Sequence, residues 1–100
     1  MRIFYGFIAS VTLFISCQTK EESTAQKAVD RYIVFVDSVN ETKFDKRKER
    51  WDFIEREYIR KRNDAETALN IFKGKAKERE QKRVAESDKI YEGVRVSVER

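Results

Sequence analysis

An all-α fold of two or three amphipathic helices, packed as an antiparallel hairpin or a coiled-coil-like bundle, is what three features of this chain predict. Apolar residues recur at three- and four-residue steps over long stretches, which puts them on one face of a 3.6-residue helix. Charged residues make up 40% of the sequence, proline is absent and glycine occurs only three times, so helix formers dominate and breakers are scarce. Ser23 stands three residues before Gln26, a spacing that lets a hydroxyl cap a helix start while the amide side chain reaches back.

The first helix is therefore expected from Ser23, with Ala25, Ala28, Val29, Tyr32, Phe35, Val36 and Val39 along its apolar face. Tyr32–Val36 places five β-favouring residues together and would also suit a buried strand. The helical period runs on through the flanking Ala, Gln and Lys, further than a strand requires, and decides for helix. Asn40–Lys43 reads as a turn, with Thr42 or Asn40 placed to cap the next helix.

A second, longer helix is expected from Phe44, its seam formed by Phe44, Trp51, Ile54, Tyr58, Ala65, Ala68, Leu69, Phe72 and Ala76. Arg47 and Lys61 fall on that seam, so a strict coiled coil is not expected. Asp52 with Arg56, Glu57 with Lys61 and Glu78 with Lys82 are acid-before-base pairs at helical spacing, each contributing about 0.2–0.5 kcal/mol. Trp51, Phe53 and Tyr58 would make either a core or an aromatic binding patch; the shared face of Trp51 and Tyr58 favours core. Gly74 marks a kink or the helix end. Beyond it Val84, Ala85, Tyr91, Val94 and Val98 suit a third helical segment, although Val94, Val96 and Val98 also alternate like a strand and Gly93 weakens both readings.

The amino-terminal stretch has a different character. Arg2 precedes an almost unbroken apolar run over Ile3–Ile15, and Ser16 stands just before Cys17, the chain's one cysteine. A bilayer-spanning helix needs roughly 20 apolar residues, so the run reads as a secretory signal more than as a span. Phe14-Ile15-Ser16-Cys17 resembles a bacterial lipobox of the loose type found in lipoproteins of Bacteroidota, where leucine usually stands at the place of Phe14 and a smaller residue at that of Ile15. The resemblance implies cleavage before Cys17 and a thioether-linked lipid on it; the alternative is an idle cysteine after an ordinary signal. Lys20-Glu21-Glu22 resembles the charged triplet that follows the lipidated cysteine in Bacteroidota lipoproteins exported to the outer face of the outer membrane; a solvated spacer is the plainer reading. The expected organisation is a signal peptide over residues 1–16, an acylated tether over 17–22 and a helical domain over 23–100.

Function classes narrow from composition. Without histidine, proline or a second cysteine, and with glycine beyond the signal only at Gly74 and Gly93, the chain lacks the parts of Cys/His metal sites, histidine triads and glycine-rich phosphate loops. No catalytic residue, cofactor or metal is expected. Lys73, Lys75, Lys77, Arg79, Lys82 and Arg83 form the most basic stretch, offset by Glu78 and Glu80. It reads as a solvated helix face or as a contact for anionic lipid phosphates; the export signal argues against nucleic acid. The whole layout resembles small helical lipoproteins of Bacteroidota without assigned activity. The expectation is a non-catalytic, outer-membrane lipoprotein, surface-exposed or facing the periplasm, that contacts an envelope protein through a helix face. The alternative is a lipoprotein that captures an anionic envelope component through its basic stretch or aromatic face.

Overall fold

The computed structural model describes Thr19–Glu99; the expected signal peptide and Cys17 lie outside the described residues. The fold is all-α. Helix α1 spans Lys20–Glu41, α2 Phe44–Glu49, α3 Trp51–Leu69 and α4 Gly74–Glu99. Gln26, Asp30 and Tyr32 of α1 meet Glu80, Arg83 and Asp88 of α4 in ascending order, so these two helices run parallel. Glu55 and Arg62 of α3 meet Tyr91 and Asp88, so α3 runs antiparallel to both. The three long helices form an up-down-up bundle. Helix α1 lies against both partners, whereas α3 and α4 meet less closely, through long side chains.

The first helix starts earlier than its Ser23 reading. Thr19 is the N-cap: its hydroxyl accepts from the Glu22 amide at 3.0 Å, and the Glu22 carboxylate accepts from the Thr19 amide, closing a capping box. Gln26, free of the role expected of it at Ser23, donates instead to Glu80 across the bundle. Lys20, Glu21 and Glu22 thus belong to the first helical turn. The apolar stripe holds as read: Ala25, Val29, Tyr32, Val36 and Val39 are buried, with Ala28 and Phe35 partly so.

Thr42 closes α1 and caps nothing after it. Its amide bonds back to the Ser38 and Val39 carbonyls, and its hydroxyl donates to Ser38 O at 2.7 Å. The expected second helix is divided. Arg50 leaves the helical region at φ −107° and ψ 18°, separating α2 from α3. Helix α2 buries none of its residues, since Phe44, 48% exposed, is followed at the next core position by Arg47. An aliphatic residue there would have held α2 on the bundle; Arg47 has its Nε buried without a hydrogen-bond partner among the described residues. Helix α3 contributes Ile54, Ala65 and Ala68 to the core, and Phe72 is buried from the connection beyond it. Of the three expected intrahelical pairs, Glu57–Lys61 forms at 3.7 Å. The side chains of Asp52, Arg56, Glu78 and Lys82 stand in solvent instead.

After Leu69 the chain leaves the helix, and Gly74 opens α4 at φ +59°. That backbone conformation costs a residue with a Cβ roughly 1–2 kcal/mol, and glycine takes it freely. Helix α4 then runs unbroken to Glu99, with no strand at its end. Its buried face is Glu80, Val84, Ser87, Tyr91, Val94 and Val98. Ala85 and Val96 face solvent, because the stripe steps through Ser87 and not through Ala85.

The two glycines should respond to alanine in opposite senses. Neither Cβ would meet another atom within 4 Å, so only backbone preference decides. Gly74→Ala should destabilise the bundle by about 1–2 kcal/mol through the left-handed turn. Gly93→Ala, inside regular helix, should stabilise it by about 0.4–1 kcal/mol. Urea unfolding followed by circular dichroism reads both, and equal signs would contradict this account of the α3–α4 connection.

Candidate functional site

Polar side chains are joined across the bundle at three levels. Nearest the start of α1, the Glu80 carboxylate, 1% exposed, accepts from Gln26 Nε2 at 2.8 Å, Arg83 Nη1 at 2.7 Å and Arg79 Nε at 2.9 Å. Arg83 Nη2 continues to Asp30 Oδ1 at 3.0 Å, tying α4 to α1 a second time. Burial works against the Arg83 charge, but its bonds to Asp30 and Glu80 outweigh this and hold its pKa above the ordinary arginine value.

At mid-height Asp88 joins all three long helices. The fully buried Tyr32 of α1 donates its hydroxyl to Asp88 Oδ1, and Arg62 of α3 donates from Nε at 3.0 Å and from Nη2 at 2.8 Å. The fork-to-carboxylate geometry is the strong form of this pair. Arg62 also reaches Glu66 at 2.6 Å. Burial, then the negative Asp88 to which it donates, push the Tyr32 phenol well above its usual range.

Higher still lies an aromatic slab. Tyr58 and Tyr91 stack with ring centroids 3.7 Å apart and planes 5° from parallel, and Trp51 lies over Tyr91 at 5.8 Å. Tyr32 tilts against Tyr58 at 6.0 Å. Tyr91 donates to Glu55 Oε1 at 2.5 Å; burial and this carboxylate raise its phenol as well. Trp51 and Tyr58 are thus packed against the core, as their spacing suggested, while Phe53 faces solvent under the Arg50 guanidinium at 5.5 Å. An aromatic binding patch formed by Trp51, Phe53 and Tyr58 together is not present.

With these groups engaged toward α4, the outer side of the closely packed α1–α3 pair carries two surface hollows. The first, toward the start of α1, is a groove of about 570 Å³ lined by Ala25, Ala28, Thr24, Thr67, Ala68 and Ile71, with Lys20, Glu21 and Asp64 on its rim. Further along, Val34, Phe35 and Ser38 line a second hollow of about 710 Å³ with Lys27, Asp30, Arg31 and Lys61 around it. Lys61, which interrupts the expected seam, lies 5.9 Å from the centre of the Phe35 ring and so covers apolar surface with its stem.

The expected basic stretch divides. Arg79 and Arg83 are drawn to Glu80, whereas Lys73, Lys75 and Lys82 stand free in solvent and Lys77 is partly covered. Because α1 and α4 are parallel, Lys73, Lys75 and Lys77 share an end of the bundle with Lys20, Glu21 and Glu22, and Lys82 lies farther along; Thr19, Glu21, Glu22 and Lys73 surround one hollow at that end. Glu80 was countable from sequence, since stepping back four residues from Val84 puts a carboxylate on the buried stripe. The partners of Asp88 and Glu55 carried no such signal, because they come from other helices. Comparison with protein-family models, with curated proteins and with solved structures finds no match to this chain.

Two consequences are measurable. A phenol whose folded pKa is raised stabilises the fold fully below its unfolded pKa and loses that contribution as pH climbs toward the folded value. The midpoint of urea unfolding should therefore fall as pH rises above about 10, where unfolded tyrosines ionise first. The double variant Tyr32→Phe, Tyr91→Phe should be less stable at neutral pH, by about 1.5–3 kcal/mol for each lost bond to a charged acceptor, and should show a flatter alkaline limb. Glu80→Gln should cost about 1.5–3 kcal/mol, since Arg83 loses its charged acceptor while Asp30 remains; thermal unfolding at neutral pH tests it.

Proposed function

We propose that the chain is a lipid-anchored, non-catalytic adaptor of the bacterial envelope, which receives an amphipathic helix of a partner protein in the α1–α3 groove. The observation that carries this reading is the groove along the outside of the α1–α3 pair. These two helices pack closely, and the outward side of their contact presents an apolar floor from Ala25 to Phe35, whereas the polar bonds at Glu80, Asp88 and Glu55 are made with α4. A fourth helix laid there would complete a four-helix arrangement. Lys27, Arg31 and Lys61 outnumber Asp30 around the second hollow, while Glu21 and Asp64 outnumber Lys20 on the rim of the first, so the complementary helix carries acidic residues where it crosses the second.

The anchor rests on the lipobox-like run ending at Cys17, and the outer membrane on the Lys20-Glu21-Glu22 triplet; a periplasm-facing position is the alternative. No helix among the described residues is long and apolar enough to cross a membrane, so attachment in this reading depends on the lipid. The non-catalytic assignment is supported by where the buried ionisable groups lie: Glu80 is surrounded by the donors Gln26, Arg79 and Arg83, and Tyr32 is bonded to Asp88.

Affinity purification from detergent-solubilised envelopes tests the groove. Val34→Glu and Ile71→Glu alter exposed positions at the two ends of the seam and should leave the melting temperature nearly unchanged. Recovery of a stoichiometric protein partner should fall about tenfold or more for each, from lost apolar burial and, at Val34, from repulsion of an acidic helix as well. Undiminished recovery would place the contact elsewhere. Metabolic labelling with a clickable fatty acid reads the anchor separately: Cys17→Ser should lose the label.

A further inference from the structure

We infer that the basic end of the bundle rests on anionic lipid headgroups, so that the chain stands upright on the membrane with its α4 start against the surface. This deepens the anchored reading and rests on it. Two observations carry it together. Thr19, the cap of α1, follows the proposed lipid-bearing Cys17 by two residues in sequence, so the bundle starts within about 7 Å of chain from the anchor. The parallel course of α1 and α4 brings Lys73, Lys75 and Lys77 to that same end, with Lys82 about 12 Å farther along α4. Lys73 stands just before α4, one turn below Lys77, and Lys75 and Lys82 are two turns apart on the exposed face of the helix.

Opposing charge is present at this end. Glu22 is bound in its capping box, Glu21 shares a hollow with Lys73, and Glu80 is enclosed by Gln26, Arg79 and Arg83. Glu78 is the exposed carboxylate among the lysines of α4. The α4 side of this end is therefore net positive toward solvent. Exposed Ile71 lies between the two starts and adds an apolar residue at headgroup depth. Each lysine near an anionic surface raises partition by roughly fivefold at low salt, and the effect fades beyond a Debye length of about 10 Å. Only charges at the anchored end can use it.

The test uses the full-length acylated chain, whose Cys17 thiol is blocked by lipid, with a fluorophore on Gln81→Cys at the basic end or on Glu92→Cys toward the other. Both positions are exposed. The protein is reconstituted in vesicles of phosphatidylcholine alone or with phosphatidylglycerol, each containing a headgroup spin-label quencher. Quenching at position 81 should rise at least about twofold with phosphatidylglycerol, return to the phosphatidylcholine level at about 0.5 M salt, and leave position 92 unaffected. K73Q/K75Q/K77Q/K82Q should abolish the rise and the corresponding arginine variant should keep it, with circular dichroism confirming that both fold. Vesicle flotation separates the two claims. A chain that floats with both vesicles but shows equal quenching overturns the headgroup contact and leaves the anchor standing; a chain that floats with neither overturns both.

Discussion

The Asp88 carboxylate is the point on which the three-helix arrangement depends. It receives the Tyr32 hydroxyl from α1 and both arms of Arg62 from α3 while belonging itself to α4. Sliding any helix by one turn, about 5.4 Å, would break at least one of these bonds and strand a partly buried charge. Apolar stripes of alanine and valine would tolerate such a slip, since one small residue replaces another. The polar junction supplies the register that the core composition does not. Asp88 and Arg62 each keep 30% side-chain exposure, so the pair fixes geometry without the full desolvation cost of a buried ion pair.

The rest of the packing follows from that alignment. Small residues let α1 approach both neighbours, with Ala25, Val29 and Val36 at its contacts. The wider space between α3 and α4 is filled by Tyr58, Tyr91 and Trp51, whose rings bridge what methyl groups could not. Glu80 performs the corresponding task near the helix starts, where few large apolar side chains are available. A bundle this small cannot rely on a large apolar core. Charged and phenolic side chains that join helices complete its specification.

The all-α class, the face of α1 and most of that of α4, Ala85 and Ser87 apart, were legible because each depends on spacing within one helix. Val29, Tyr32 and Val36 are buried as their period demands. The boundaries were less legible. Ser23 with Gln26 and Thr19 with Glu22 offer competing capping boxes at two helix starts, and the tertiary bond from Gln26 to Glu80 favours the earlier one. The break at Arg50 is written in no helix breaker; it follows from Phe44 and Arg47 failing to pack against the core. The groove outside the α1–α3 pair was not legible at all, because it depends on which sides of two separate helices meet each other and which meet α4.

The capping box at Thr19 changes what Lys20, Glu21 and Glu22 are as an object of recognition. In an extended tether three adjacent side chains form a linear string that a receptor groove can read along its length. In a helical turn they point about 100° apart around a cylinder, with Glu22 folded back onto Thr19 and Glu21 beside the groove. A sorting factor that needs a string must first unwind the turn and release the capping hydrogen bonds. One that reads the folded turn recognises a three-dimensional epitope, and so distinguishes a chain whose bundle has formed from one that has not.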